Sequence, residues 1–291
     1  MMKPWQPRPS GTAAVDGPDG RTSSRPRRIM VPAAMPVERA LLDRDSKESV
    51  WARKWAVRLG GTAESAAYLA SVTAWRNAWR PERVRVLLVA ESHVAELRGD
   101  IEVSVAPPAW AQRHLPTSFC RLIYCLGYGE SEICSPAPAK NSTGTLGFWD
   151  IFGAIAGGLQ PMQPRRGAST PEHRLQWKLD VLSWLRRNGV WLVDACVAGV
   201  YLPGGRRMAS GETYNEMVRQ SFDQFVWPSV SNEHPEQVWV IGSGVRQALA
   251  HHKAVRRSRW ITQPQDRNRG RHQRGLVEMV TSLRKLVPPR P

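Results

Sequence analysis

Four short apolar runs, each stopping at a polar residue and separated from the next by helix-like sequence, limit what this chain can fold into. Residues 84–90 end at Glu91-Ser92-His93 and residues 190–193 at Asp194. Residues 238–241 end at Gly242-Ser243-Gly244 and residues 260–262 at Gln263-Pro264-Gln265-Asp266. Runs of this length, rich in Val, Ile, Leu and Trp, read as buried strands. Strands alternating with helical segments imply an α/β fold with a mostly parallel sheet. In such open sheets ligands bind outside the carboxyl ends of the strands. The polar residues at the four stops are therefore the first places to look for chemistry.

The intervening sequence supports that order. Residues 1–36 hold seven prolines among Gly, Ser and Arg with no apolar periodicity, which predicts a disordered basic arm. Residues 37–83 read as a helical extension packed on the core. Trp51, Trp55 and Leu59, then Tyr68, Leu69, Val72, Trp75 and Trp79, recur at three- and four-residue intervals, with a break at Gly60-Gly61 and a stop at Pro81. These tryptophans read as core rather than as nucleic-acid stacking residues. Residues 84–291 form the main α/β domain. Within it the spacing predicts a short helix over 119–126, a turn at Gly127-Tyr128-Gly129 and a loop over 135–145. Further helices are predicted over 148–159, 173–187 (stopped by Asn188-Gly189) and 217–226.

At 42% hydrophobic and 23% charged residues over 291 positions, the composition is that of a soluble globular protein with ample core. No apolar stretch approaches the roughly 18–20 residues that cross a bilayer, and the start of the chain lacks an apolar signal region. No membrane association and a cytoplasmic location are expected. The net charge of +16 attracts polyanions and points to nucleic acid. Much of the excess lies between His251 and Arg274, where Arg256, Arg257, Arg259, Arg267, Arg269 and Arg271 bracket the fourth strand. Arginine matches phosphate geometry with paired hydrogen bonds, so these residues are candidate backbone contacts that carry no sequence information. A solvated charge run is the ordinary alternative. The four cysteines (Cys120, Cys125, Cys134, Cys196) include no C-x-x-C pair and read as structural thiols rather than metal or cluster ligands.

The order of the strand-end motifs resembles the uracil-DNA glycosylase superfamily. In that family a first strand ends in a water-activating motif such as GQDPYH or GEAPG. A middle strand ends in an Asn that reads the base, and a late strand leads into a loop of the HPS type. Here VRVLLVAESHV stands first, GVWLVDACVAGVY second and WITQPQDRNRG last, with VWVIGSGVRQAL before the late loop. The likeness spans about residues 84–280 and is one of layout, with no motif intact. It implies a three-layer α/β/α fold and a DNA glycosylase that flips a base out of the helix, cleaves its N-glycosidic bond with water and leaves an abasic site. It implies DNA as partner, nucleoid association through it, no metal or organic cofactor and no obligate protein partner.

Laid over GEAPG, Glu91 takes the place of the carboxylate that orients water and stabilises the cationic sugar. The bland alternative is a cap or an ion pair at a strand end. His93 would share the same water or touch a phosphate. Gln263 replaces the histidine of the HPS-type loop; it can donate a hydrogen bond but carries no charge, which puts leaving-group stabilisation in doubt. Ser92, Val94, Tyr128 and Asp194 form the expected base-binding set. Val94 replaces the tyrosine that crowds the pyrimidine 5-position, and Asp194 replaces the base-reading Asn. A carboxylate only accepts hydrogen bonds, which suits the exocyclic amine of cytosine. A modified cytosine, such as one from phage DNA, is the base this pattern favours, unless Asp194 merely caps a turn. Among Phe119, Tyr124 and Tyr128, the glycine-flanked Tyr128 looks least like core and is the expected stacking residue. Arg267 is the candidate to fill the gap left by the base.

Other readings remain open. The eroded motifs suit a glycosylase-fold DNA-binding or defence protein that has lost its chemistry. Gly242-Ser243-Gly244 lacks the context of a phosphate loop. Ser92, His93 and Asp194 would make a hydrolase triad only without the usual nucleophile elbow.

Overall fold

The computed structural model describes residues 46–96, 103–111, 115–134, 146–158, 164, 167–201, 207–264 and 269–290. The arm expected over 1–36, the loop over 135–145 and Arg267 lie outside the described residues.

The strands form where the apolar runs predicted them: β1 Val86–Ala90, β2 Val190–Asp194, β3 Gln237–Ile241 and β4 Arg259–Ile261. Each pair is parallel, and the order across the sheet is β2-β1-β3-β4. Every residue of β1 and β2 is buried, which accounts for their unbroken apolar sequence. The outer edge of β2 needs a partner, and the Tyr124 hydroxyl supplies one by accepting from the Leu192 amide at 2.8 Å.

Helices flank the sheet. Two precede it: α1 Lys47–Arg58 and α2 Ala66–Ala78, started by Ser46 and Ser65, whose hydroxyls accept the Ser49 and Tyr68 amides at 3.1 Å each. Between β1 and β2 lie α3 Gly127–Cys134, α4 Leu146–Gly157 and α5 Pro171–Arg187. Then come α6 Gly211–Ser221 before β3, α7 Ser243–Ala248 and α8 Lys253–Arg256 before β4, and α9 Arg269–Leu283. Helix α4 packs on α5 and α9, while α6 packs on α7. The β1-to-β2 connection runs one way along the sheet and β2-to-β3 runs back the other way. Right-handed crossovers then carry their helices to opposite faces, consistent with three layers.

Trp51, Trp55, Trp75 and Trp79 are buried in the same core as the strands, as their helical spacing implied. The helix predicted over 119–126 is instead an irregular buried segment, and the helical turn begins at Gly127. Its side chains are enclosed on every side, so no exposed face marks a period. The turn predicted at 127–129 survives as a break inside α3, where Gly129 takes φ 122°. Buried Glu130 then fastens α3 to α5, accepting from Arg174 Nε at 3.0 Å and Lys178 Nζ at 2.8 Å.

Candidate active site at the carboxyl ends of the strands

Because β1 is followed in space by β2 on one side and β3 on the other, the chain direction switches between β1 and β3. An open parallel sheet has its crevice at such a point. Glu91 is the first residue beyond β1 and stands there, with only 3% of its surface exposed. Opposite it, Gly242 leaves β3 with φ 109°. A Cβ on Gly242 would come within 3.0 Å of Gln263 Cγ and 3.2 Å of its Nε2. Glycine thus makes room for Gln263, delivered by the loop after β4, to donate Nε2 to Glu91 Oε2 at 2.7 Å.

The other carboxylate oxygen, Oε1, accepts from Arg207 Nη2 at 2.9 Å. Arg207 also donates Nε to the Tyr201 hydroxyl at 2.9 Å. Its guanidinium carbon lies 5.3 Å from the Tyr201 ring centroid and 4.8 Å from that of Tyr214 on α6. Burial, then the charge of Glu91, push both phenols above their usual range, so both keep their protons. The Tyr214 hydroxyl lies beside the Glu91 carboxylate. A carboxylate, an amide donor and two phenol rings grouped around Arg207 have the chemistry to orient a water and to stack on a planar group.

Asp194, the last residue of β2, belongs to a different cluster. It pairs in register with Ala90, so its side chain leaves the sheet on the face opposite to that of Glu91. Asp194 Oδ2 accepts from Arg76 Nη2 on α2 at 2.7 Å and lies 3.6 Å from His93 Nδ1. His93 Nε2 meets Glu64 Oε1 at 2.9 Å, and Glu64 Oε2 accepts the Gly199 amide at 2.8 Å. All four side chains are buried. Burial alone would raise the Asp194 carboxyl, but Arg76 and His93 outweigh it and hold it below the usual range. Burial likewise opposes the charge on His93, yet Glu64 and Asp194 raise it to about 9.

Of the expected catalytic set, the structure brings Glu91 and Gln263 together and turns His93 away to Glu64. Glu91 and Asp194 serve different partners, Gln263 and Arg207 for the one and Arg76 for the other. Asp194 is corrected from base reader to buried ion-pair partner of Arg76. Tyr128 is corrected too: it is 7% exposed, packed edge-on against Phe119 at 6.2 Å, and belongs to the core. Ser92 joins two loops, donating to the His93 carbonyl at 2.8 Å and accepting the Val200 amide at 3.0 Å. Val94 is half-buried and pairs with Tyr201 in a parallel bridge, which sets the tyrosine's place. Ser92 and His93 share no side-chain bond, which removes the triad arrangement. Gly242 and Gly244 lie against Gln263, Tyr214 and Arg207, so this triplet spaces site residues where a phosphate loop would hold a ligand.

Comparison with protein-family models and with the curated proteins finds no match to this chain.

The basic segment divides between the two ends of the sheet. Arg256, Arg257 and Arg259 are exposed at the start of β4, the end remote from Glu91. Arg257 and Arg259 line a cavity of about 520 Å³ there, with Trp227, His234 and Trp239. Arg269 opens α9, and Arg271 is exposed in its first turn, on the Glu91 side. Buried His272 anchors that turn through Nδ1, 2.9 Å from the Thr262 carbonyl beside Gln263.

All four cysteines are buried and unpaired. Among the described residues no group of three or more His, Cys, Asp or Glu is placed to hold a metal ion, and no helix is long and apolar enough to cross a membrane.

Sequence reasoning missed Arg207, Tyr201 and Tyr214. The signal for Tyr201 and Arg207 was present in GVYLPGGRR, where an aromatic and two arginines flank the sequence Pro-Gly-Gly soon after β2.

Proposed function

We propose that this chain is a DNA glycosylase of the kind its motif layout resembles, with Glu91 as the residue that orients the attacking water. The observation that carries the reading is the position of Glu91 at the β1/β3 crevice, bonded to Gln263 from the late loop. Those are the two strand ends from which the resemblance draws the water-activating carboxylate and the leaving-group residue. A three-layer glycosylase-like fold belongs to the same proposal, supported by the parallel order β2-β1-β3-β4.

A flipped base enters between the Tyr201 and Tyr214 rings, which offset the cost of unstacking it. Glu91 holds a water against the anomeric carbon, takes its proton and stabilises positive charge on the sugar as the bond to the base breaks. Arg271 contacts a flanking phosphate. The preference for cytosine rested on Asp194 as a free acceptor and lapses with its pairing to Arg76.

Duplex and single-stranded oligonucleotides carrying uracil, cytosine, 5-substituted cytosines or 7-methylguanine, followed by alkaline cleavage of abasic sites, test the reading. The expected result is base release by the wild type that falls by about a hundredfold or more in Glu91→Gln, with DNA affinity unchanged. Wild-type protein that binds DNA and releases no base from any of them overturns the reading in favour of a non-catalytic DNA-binding protein.

A further inference from the structure

We propose that the base taken by this site is positively charged: an N-alkylated purine of the 7-methylguanine type. This rests on the glycosylase reading and adds to it the chemistry of the substrate. The crevice is built around a planar, delocalised cation. Glu91 and the faces of Tyr201 and Tyr214 enclose the guanidinium of Arg207, with the contact distances given above. Aromatic faces and a carboxylate are the surroundings that select a cation over a neutral ring. Arg207 is also the outermost member, its side chain 41% exposed against 3% for Glu91. It is thus a plug held by two hydrogen bonds, whose swing outward vacates a cation-binding slot. The Tyr214 hydroxyl is buried beside the Glu91 carboxylate, so a purine carbonyl entering the slot would meet a donor already placed there.

Leaving-group chemistry points the same way. A neutral base departs as an anion and needs a proton or a cation beside it. The residue in that place is Gln263, uncharged, with one of its two amide hydrogens on Glu91. An N7-alkylated purine needs no such help. As the C1′–N9 bond breaks, its electron pair moves into the ring and cancels the ring's positive charge, so the base leaves neutral. The water oxygen bonds C1′, and its proton passes to the Glu91 carboxylate and then to solvent.

Equilibrium binding of 7-methylguanosine and guanosine, followed by intrinsic fluorescence in mildly acidic buffer where the methylated nucleoside is a cation, tests the slot without catalysis. We expect wild type to prefer the methylated nucleoside by about tenfold, the equivalent of 1.4 kcal/mol. The preference should vanish in Glu91→Gln, which keeps the shape and loses the charge. Arg207→Ala, an exposed position, should bind the methylated nucleoside several-fold tighter than wild type. Equal binding of the two nucleosides by wild type and by Arg207→Ala overturns the inference. In the release assay, corrected for spontaneous depurination, excision of 7-methylguanine is the expected result. Excision of uracil or cytosines with 7-methylguanine untouched overturns the charge selectivity while leaving the glycosylase reading intact. Preferential binding of the cation with no excision of any base overturns the glycosylase reading and, with it, the identity of this ligand as a substrate.

Discussion

His93 carries a proton in the protein interior, and its neighbours set the pH at which it gives that proton up. Burial disfavours the imidazolium, but Glu64 and Asp194 more than reverse this and place its titration at about 9, against 6.5 for an ordinary histidine. A folded value above the unfolded one means that the proton stabilises the fold. That contribution is complete below the unfolded value and disappears as pH rises through 9. Its size is on the order of 3 kcal/mol. Asp194 works in the opposite sense: held below its ordinary value, it contributes above about 3.8 and loses that contribution as the pH falls through its folded value. We expect the urea midpoint of the wild type to decline between the two His93 values, and His93→Gln to be less stable but flat over the same interval. Parallel declines in the two proteins would show that another group titrates there. This cluster also explains what was legible at the scale of single residues. A polar residue at the end of a buried strand is visible in sequence; the partner that neutralises it is not. Arg76 lies on α2, far along the chain and on the helical face that reads as core, so Asp194 looked free. Glu91 was legible because its place at the end of β1 decides its surroundings.

The loops that leave β1 and β2 behave as one element. Ser92 Oγ takes the Val200 amide, Val94 pairs with Tyr201, and the Ala95 amide donates to the Tyr201 carbonyl at 2.8 Å. Gly199 lets the two chains touch: a Cβ there would come within 2.6 Å of the Ala95 amide nitrogen and 2.7 Å of its Cα. Those are backbone atoms, which cannot yield as the tip of a side chain does. Gly199→Ala should therefore separate the loops, strain the Gly199 amide bond to Glu64 and displace Tyr201. We expect a loss of about 1–3 kcal/mol in chemical denaturation together with weakened 7-methylguanosine binding. Unchanged stability and binding would mean that the loops are not coupled. Elements were legible in proportion to how one-sided their burial is. The four strands and the helices at 146–157 and 171–187 emerged from apolar runs and Gly stops. Residues 119–126 did not, since a segment buried on all sides shows no period.

At the scale of the molecule, all the proposed chemistry sits at one end of a parallel sheet while the positive charge is spread over both. The excess of +16 predicts a polyanionic partner, but composition cannot say which arginines would face it. The fold divides them. Arg271 and Arg274 are exposed in the first turns of α9, which His272 ties to the loop that carries Gln263. Arg256, Arg257 and Arg259 stand at the opposite end of β4, the latter two lining the cavity with Trp227 and Trp239. On the glycosylase proposal, DNA that presents a base to Glu91 should meet the first group and pass the second. Each phosphate contact releases counterions, and its loss lowers the slope of log affinity against log salt by about 0.9 for duplex DNA. Arg271→Ala combined with Arg274→Ala should reduce the slope by up to about 2 and weaken binding uniformly across sequences. Substituting Arg256, Arg257 and Arg259 together by Ala should leave both the slope and the single-turnover release rate at saturating protein unchanged, although it removes more charge. If the triple substitution flattens the slope instead, the duplex wraps the β4 edge, and the two ends of the sheet act on the same molecule of DNA.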